Sequence, residues 1–130
     1  MKEEKAKHDA KMKANLSREK ADYKKFFEVK DMQLMVYSEQ NGFYKYFKGI
    51  IDYICDHSDI AIHYVTSDPN DNIFKDTRKN IHPYYVASDK YLIPLFMKLD
   101  TDICLLTTPD IEKYQLKRSR VRKDVEYIYL

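Results

Sequence analysis

Ile103-Cys104-Leu105-Leu106 is an unbroken apolar run that stops at Thr107-Thr108-Pro109. A strand apolar at every position has no face to turn to water. It therefore belongs in the interior of a sheet covered on both sides, the usual setting of a parallel sheet between helices. Thr107 and Thr108 set two hydroxyls at the end of that strand. Pro109, with no N–H to give to a ladder, turns the chain out of the sheet. Beyond the turn comes Lys117-Arg118-Ser119. Hydroxyls and guanidinium groups both donate to phosphate oxygens, so a strand end followed by this dibasic step suits a phosphorylated ligand. The same letters also describe a strand, a turn and a solvated basic loop.

The rest of the chain supplies partners for such a strand. Residues 32–37 read M-Q-L-M-V-Y, a first strand, and residues 38–42 (S-E-Q-N-G) are turn and capping letters. Phe43, Phe47, Ile50, Ile51 and Ile54 recur at steps of three and four, with Lys45, Lys48 and Asp52 largely on the other side, which predicts an amphipathic helix. Ile60, Ile62, Tyr64 and Val65 mark a second strand, closing in T-S-D-P-N-D, where Asp68 or Asn70 is the expected cap of a short helix. Residues 81–86 read as a third strand, with Pro83 placing it at or near a sheet edge. Ser88 and Asp89 are the next cap candidates. Tyr91, Leu92, Leu95, Phe96 and Leu99 mark a second amphipathic helix, in which Pro94 either falls in the first turn or bends the axis. Val125 to Leu130 reads as a fifth strand.

Strands alternating with helices at this spacing imply right-handed crossovers. The expected fold is α/β, a Rossmann-like, mostly parallel sheet of about five strands in the order 3-2-1-4-5. Every strand then ends at one rim, where Ser38-Glu39, Thr66-Ser67-Asp68, Ser88-Asp89 and Thr107-Thr108 gather. Ligands of open α/β sheets bind at such a rim.

At 130 residues the chain has room for one modest domain. Residues 1–30 hold ten Lys/Arg against six Asp/Glu, so the basic excess lies at the N-terminus. With no Gly or Pro before about residue 27 and no broad apolar stripe, this leader is expected to be an exposed, fraying helix or a disordered arm. Residues 31–130 form the Rossmann-like domain. Cys55 and Cys104 sit in apolar runs without CxxC or Cys/His spacing, as reduced core residues would. No apolar stretch approaches the ~20 residues that cross a bilayer, and the lysine-rich start lacks a signal peptide's apolar core. The expectation is a soluble, cytoplasmic protein.

Gly42 and Gly49 are the only glycines, so neither a dinucleotide fingerprint nor a P-loop can be written. A G-x-S-x-G elbow is absent, and the four histidines offer no i,i+4 zinc pair. His63, inside a strand, is expected to be packed or hydrogen-bonded, and His57 to face solvent near a helix end. The stretch 117–123 carries five basic residues in seven. It keeps open a non-catalytic anion- or nucleic-acid-binding module using Lys117–Lys123. Tyr114 and Tyr127 are few for a base-stacking platform, which makes nucleic acid the less favoured partner.

Several blocks together resemble the CDP-glycerol glycerophosphotransferases of teichoic-acid-type synthesis. These are Ser38-Glu39 with Phe43-Tyr44 and Phe47; Tyr64-Val65-Thr66-Ser67-Asp68-Pro69-Asn70-Asp71; and Thr107-Thr108-Pro109 followed by Tyr114 and Lys117-Arg118-Ser119. The likeness runs across roughly residues 32–130. It implies a two-lobed, GT-B-type transferase of which this chain is similar to the N-terminal, acceptor-side half, truncated after the fifth strand. It further implies transfer of glycerol phosphate from CDP-glycerol to a lipid-linked or polymer hydroxyl, with CMP leaving and no cofactor. In similar proteins a histidine, acting as general base, follows the strand matching residues 125–130, and the donor pocket lies in the other half. Catalysis by this chain alone is therefore not expected, and no catalytic residue is assigned. On this resemblance Ser67, Asp68, Thr107, Thr108, Lys117, Arg118 and Ser119 are the candidate substrate contacts. A peripheral position at the inner face of the cell membrane, with the basic leader near anionic lipid, fits a lipid-linked acceptor.

Overall fold

The computed structural model describes residues 2–107 and 125–130, with five strands and three α-helices. The strands are β1 (Leu34–Ser38), β2 (Ile62–Thr66), β3 (Ile81–Tyr85), β4 (Ile103–Leu106) and β5 (Glu126–Tyr129). The helices are α1 (Lys2–Phe27), α2 (Tyr44–His57) and α3 (Asp89–Lys98). All four strand pairings are parallel, and the order is β3-β2-β1-β4-β5. The α/β reading and its strand order are therefore those of the structure.

Because strand side chains alternate, β1 divides its residues between two layers. Met35 and Tyr37, with Val65, Tyr84, Cys104 and Leu106, face Leu92, Leu95, Phe96 and Leu99 of α3 and Phe26 of α1. Leu34 and Val36, with Ile62, Tyr64, Ile81 and Leu105, face Phe47 and Ile51 of α2. Every residue of β1 and β2 is buried, as strands covered on both faces require, and the polar ones among them, Ser38, His63 and Thr66, are hydrogen-bonded. Pro83 lies in the edge strand β3, where its missing N–H breaks no inner ladder.

Local details depart from the sequence expectations in instructive ways. A single 3-10 turn, Asn41–Phe43, leads into α2. The short helix after β2 is the 3-10 segment Asn72–Lys75, and its cap is Asp71, whose carboxylate accepts from Ile73 N at 3.0 Å. Asp68 instead bonds the first residue of the other 3-10 turn. Pro94 falls in the interior of α3, the sixth residue of a helix that starts at Asp89.

The largest difference concerns α1. One face of its second half is packed on the domain: Phe26 is buried edge-on against Tyr84, with ring centroids 5.3 Å apart, and Tyr23 meets Tyr91 at 5.1 Å. Glu19 is 2 % exposed and Asp22 accepts from Tyr85 N at 2.8 Å. These residues recur at three- and four-residue steps, but the stripe is aromatic and acidic rather than aliphatic. It matches what β3 offers, an edge whose outward N–H groups need acceptors.

Candidate functional site

In this strand order the chain reverses direction of travel at β1, going first to β2 and later to β4 on the other side. The crevice outside the carboxyl ends of β1 and β4 is where open α/β sheets hold ligands. Tyr37 pairs with Leu106 in register, so the chain leaves β1 through Ser38-Glu39 beside the point where it leaves β4 through Thr107. Thr107 is half-buried at this position. The Ser38 hydroxyl is turned inward and donates to the Gln40 carbonyl at 2.8 Å.

One strand over, Ser67 and Asp68 sit at the end of β2. The Ser67 hydroxyl donates to Val86 O at 2.8 Å and meets Tyr37 OH at 2.8 Å, so Tyr37 is the donor in that pair. Asp68 accepts from Asn41 N at 3.1 Å and from Asn70 N at 2.9 Å, while its own N–H donates to Thr66 Oγ1 at 3.1 Å. Thr66 in turn donates to the buried Asp71 carboxylate at 2.7 Å. These bonds tie the ends of β1, β2 and β3 into one scaffold. Thr107, Ser67 and Asp68 thus share the rim. Thr108, Lys117, Arg118 and Ser119, and with them the basic stretch 117–123, lie outside the described residues.

Two polar arrangements of this region carry no local sequence signature. Arg78 is a hub: its guanidinium donates to Asp76 at 2.8 Å, to Asp52 at 2.8 Å and to Tyr44 OH at 3.2 Å. Arg78 holds the Asp76 carboxyl below its ordinary range, and Lys48 together with Arg78 does the same for Asp52. The second arrangement is the α1 clamp. Arg18 donates to Pro69 O at 2.8 Å and lies 4.1 Å from the centre of the Phe74 ring, a cation–π contact on the loop after β2. A pattern search for aliphatic periodicity passes over both.

His63 and His57 are as expected from their strand and helix settings. His63 is 5 % exposed, bonded through Nδ1 to Tyr84 OH at 3.0 Å and stacked on His82. Burial, and secondarily His82, pulls its pKa down to about 4, so it is a neutral packed residue. His57 ends α2 exposed, with Nδ1 2.9 Å from Tyr53 O. Cys104 is buried and Cys55 half-buried, both as free thiols, and burial raises both pKa values. The Tyr64 hydroxyl is buried without a hydrogen-bond partner of proper geometry, and burial raises its pKa too. Among the described residues no cluster of His, Cys, Asp and Glu could hold a metal ion, and no helix is long and apolar enough to cross a membrane. No protein-family model matches the chain, and neither a curated protein nor a solved structure matches it.

Proposed function

We propose that this chain is the acceptor-side half of a CDP-glycerol glycerophosphotransferase-like enzyme. The observation that carries the reading is Thr107 at the end of β4, the first residue of the Thr-Thr-Pro sequence, which leaves the sheet at the switch point beside Ser38-Glu39. Of the blocks that resemble the transferases, Ser38-Glu39, Thr66-Ser67-Asp68 and Thr107 fall, among the described residues, at strand ends of one parallel sheet, which is where a cleft shared with a second lobe would draw its contacts. In the reaction, an acceptor hydroxyl attacks the phosphorus that bears glycerol, the bond to the bridging oxygen breaks, and CMP leaves with that oxygen. Little covalent work falls to the protein in such a transfer. Positioning and neutralisation of the phosphoryl oxygens carry it.

On this reading Thr107 and Thr108 donate to acceptor or phosphoryl oxygens, and Lys117, Arg118 and Ser119 supply charge and a further hydroxyl. Ser67 and Asp68 brace the neighbouring rim. The second lobe brings the donor pocket and the base that takes the acceptor proton. The basic α1 is suited to a peripheral position at an anionic membrane that carries a lipid-linked acceptor.

The experiment measures CMP release from CDP-glycerol with an acceptor bearing terminal glycerol phosphate. The chain alone is expected to be silent, and mixing it with the C-terminal half of such a transferase is expected to restore turnover. Replacing Thr107 and Thr108 by valine should then lower turnover at least tenfold with the melting temperature unchanged. Silence of the mixture under all acceptors would end the proposal.

A further inference from the structure

The rim carries another cleft, between the start of α2 and the loop that follows β2. It encloses about 500 Å³, within the range of small-molecule sites, and its walls include Asn41, Tyr44, Lys45, Lys48 and Lys75. Two carboxylates, Asp71 and Asp76, also line it, and both are matched inside the fold. Asp71 accepts from Thr66 Oγ1 and Ile73 N, and Asp76 accepts from Arg78. Lys48 faces Asp52 at 2.7 Å and leaves most of its side chain exposed. Lys45 and Lys75 form no ion pair among the described residues.

The placement of Lys45 runs against local helix electrostatics. The 3-10 turn Asn41–Phe43 and the first turn of α2 contain no acidic residue, and Lys45 is the second residue of α2. Ammonium groups at the positive end of a helix are unfavourable unless an anion joins them. The neutral donors converge on the same space. Asn41 Oδ1 accepts from Asn72 N at 2.9 Å, which leaves its amide N–H groups to donate elsewhere. Tyr44 OH accepts from Arg78, so its own proton is available to a ligand oxygen.

We infer that this cleft binds a small hydroxylated molecule through its phosphomonoester, with Lys45 and Lys75 holding the phosphoryl oxygens and Asn41 and Tyr44 the hydroxyls. The inference stands apart from the transferase reading, since it uses none of Thr107, Thr108 or Lys117–Ser119. A phosphomonoester can arrive on a free sugar or polyol or on a lipid headgroup, and the chemistry recognised is the same.

The test is a titration of the full ¹⁵N-labelled chain with ribose 5-phosphate, with ribose, and with vesicles of phosphatidic acid in phosphatidylcholine. Saturable shifts confined to the amides of residues 41–48 and 72–76, seen with ribose 5-phosphate and not with ribose, are expected. Saturable binding restricted to the vesicles, with the same two segments perturbed, supports the site with a headgroup as its source. The K45A/K75A double variant should weaken either binding at least tenfold, while K98A, on α3, leaves it unchanged. Both lysines are exposed, so an unchanged melting temperature is expected for the double variant. Shifts spread over lysines along the whole chain, no binding at all, or equal affinity in the double variant would overturn the assignment.

Discussion

Glu19 of α1 holds Ser88 at the start of α3 through a single carboxylate oxygen. Oε1 accepts from Ser88 Oγ at 2.8 Å, from Ser88 N at 2.5 Å and from Ala87 N at 2.7 Å. The contact joins residues 69 positions apart and satisfies two N–H groups that no helix or ladder would otherwise pair. α1 thereby becomes part of the fold and fixes the end of β3 relative to α3.

Removing that carboxylate should be costly. Glu19→Ala leaves buried donors unmatched, and a charged acceptor of this kind contributes about 1.5–3 kcal/mol. Glu19→Gln keeps one carbonyl acceptor of the same shape and should lose only about half as much. Urea denaturation of the two variants checks this, and equal stability of Glu19→Ala and the parent chain would show that α1 is merely resting on the sheet.

Arg78 predicts a change of acid sensitivity. Its guanidinium keeps Asp76, and with Lys48 Asp52, ionised below the ordinary carboxylate range. A carboxyl whose folded pKa is lowered contributes stability that is present above its unfolded pKa, near 4, and lost as pH falls through the folded value. Arg78→Lys should therefore cost about 1 kcal/mol near neutrality, modest because the site is a third exposed, and its deficit should shrink towards pH 2. Thermal melts at pH 7, 4 and 2 read this directly.

His63 predicts a second pH effect at higher pH. Its folded pKa is about 4, below the 6.5 of an unfolded histidine, so the unfolded chain takes up a proton that the folded chain refuses. The stability it confers is complete above pH 6.5 and declines as pH falls to about 4, by about 2–3 kcal/mol. Substituting His63→Leu removes the titrating ring and should flatten the stability profile between those limits, whatever the absolute cost of stranding Tyr84 OH. A profile as steep as that of the parent chain would assign the effect to other groups.

Ser67 and Asp68 separate a bracing role from a ligand contact. Ser67→Ala removes the hydroxyl that bonds the Val86 carbonyl and Tyr37 OH, at about 1 kcal/mol. Asp68→Ala uncaps Asn41 and Asn70, at about 0.5–2 kcal/mol. Both variants should melt lower, and in the two-half assay their turnover should fall by less than that of the Thr107 and Thr108 variant. Unchanged melting with lost turnover would make them substrate contacts instead.

Much of the architecture was legible because it rests on short-range periodicity. The run at residues 103–106 is buried from Cys104 onward in the sheet, Phe47 and Ile51 face the core of α2 at helical spacing, and Pro83 marks an edge. Ser67, Asp68 and Thr107 reach one rim because parallel strands share a direction. The role of Arg78 was not legible. Its partners Asp52 and Tyr44 lie 26 and 34 residues away, and no local pattern registers a pairing over that separation.

By itself, the order of apolar runs and amphipathic stretches determined a doubly wound parallel sheet, since each run can be buried only between helices and each crossover has one hand. Which polar groups meet was decided only by tertiary structure. Glu19, Arg18 and Asp22 look like residues of any solvated basic helix until β3 and the turn after it present N–H groups that need acceptors and the loop after β2 presents Pro69 O and the Phe74 ring. The physical reason is range: hydrophobic periodicity is a property of neighbours in the chain, whereas a hydrogen bond is chosen by whatever donor or acceptor folding leaves unmatched at that point in space.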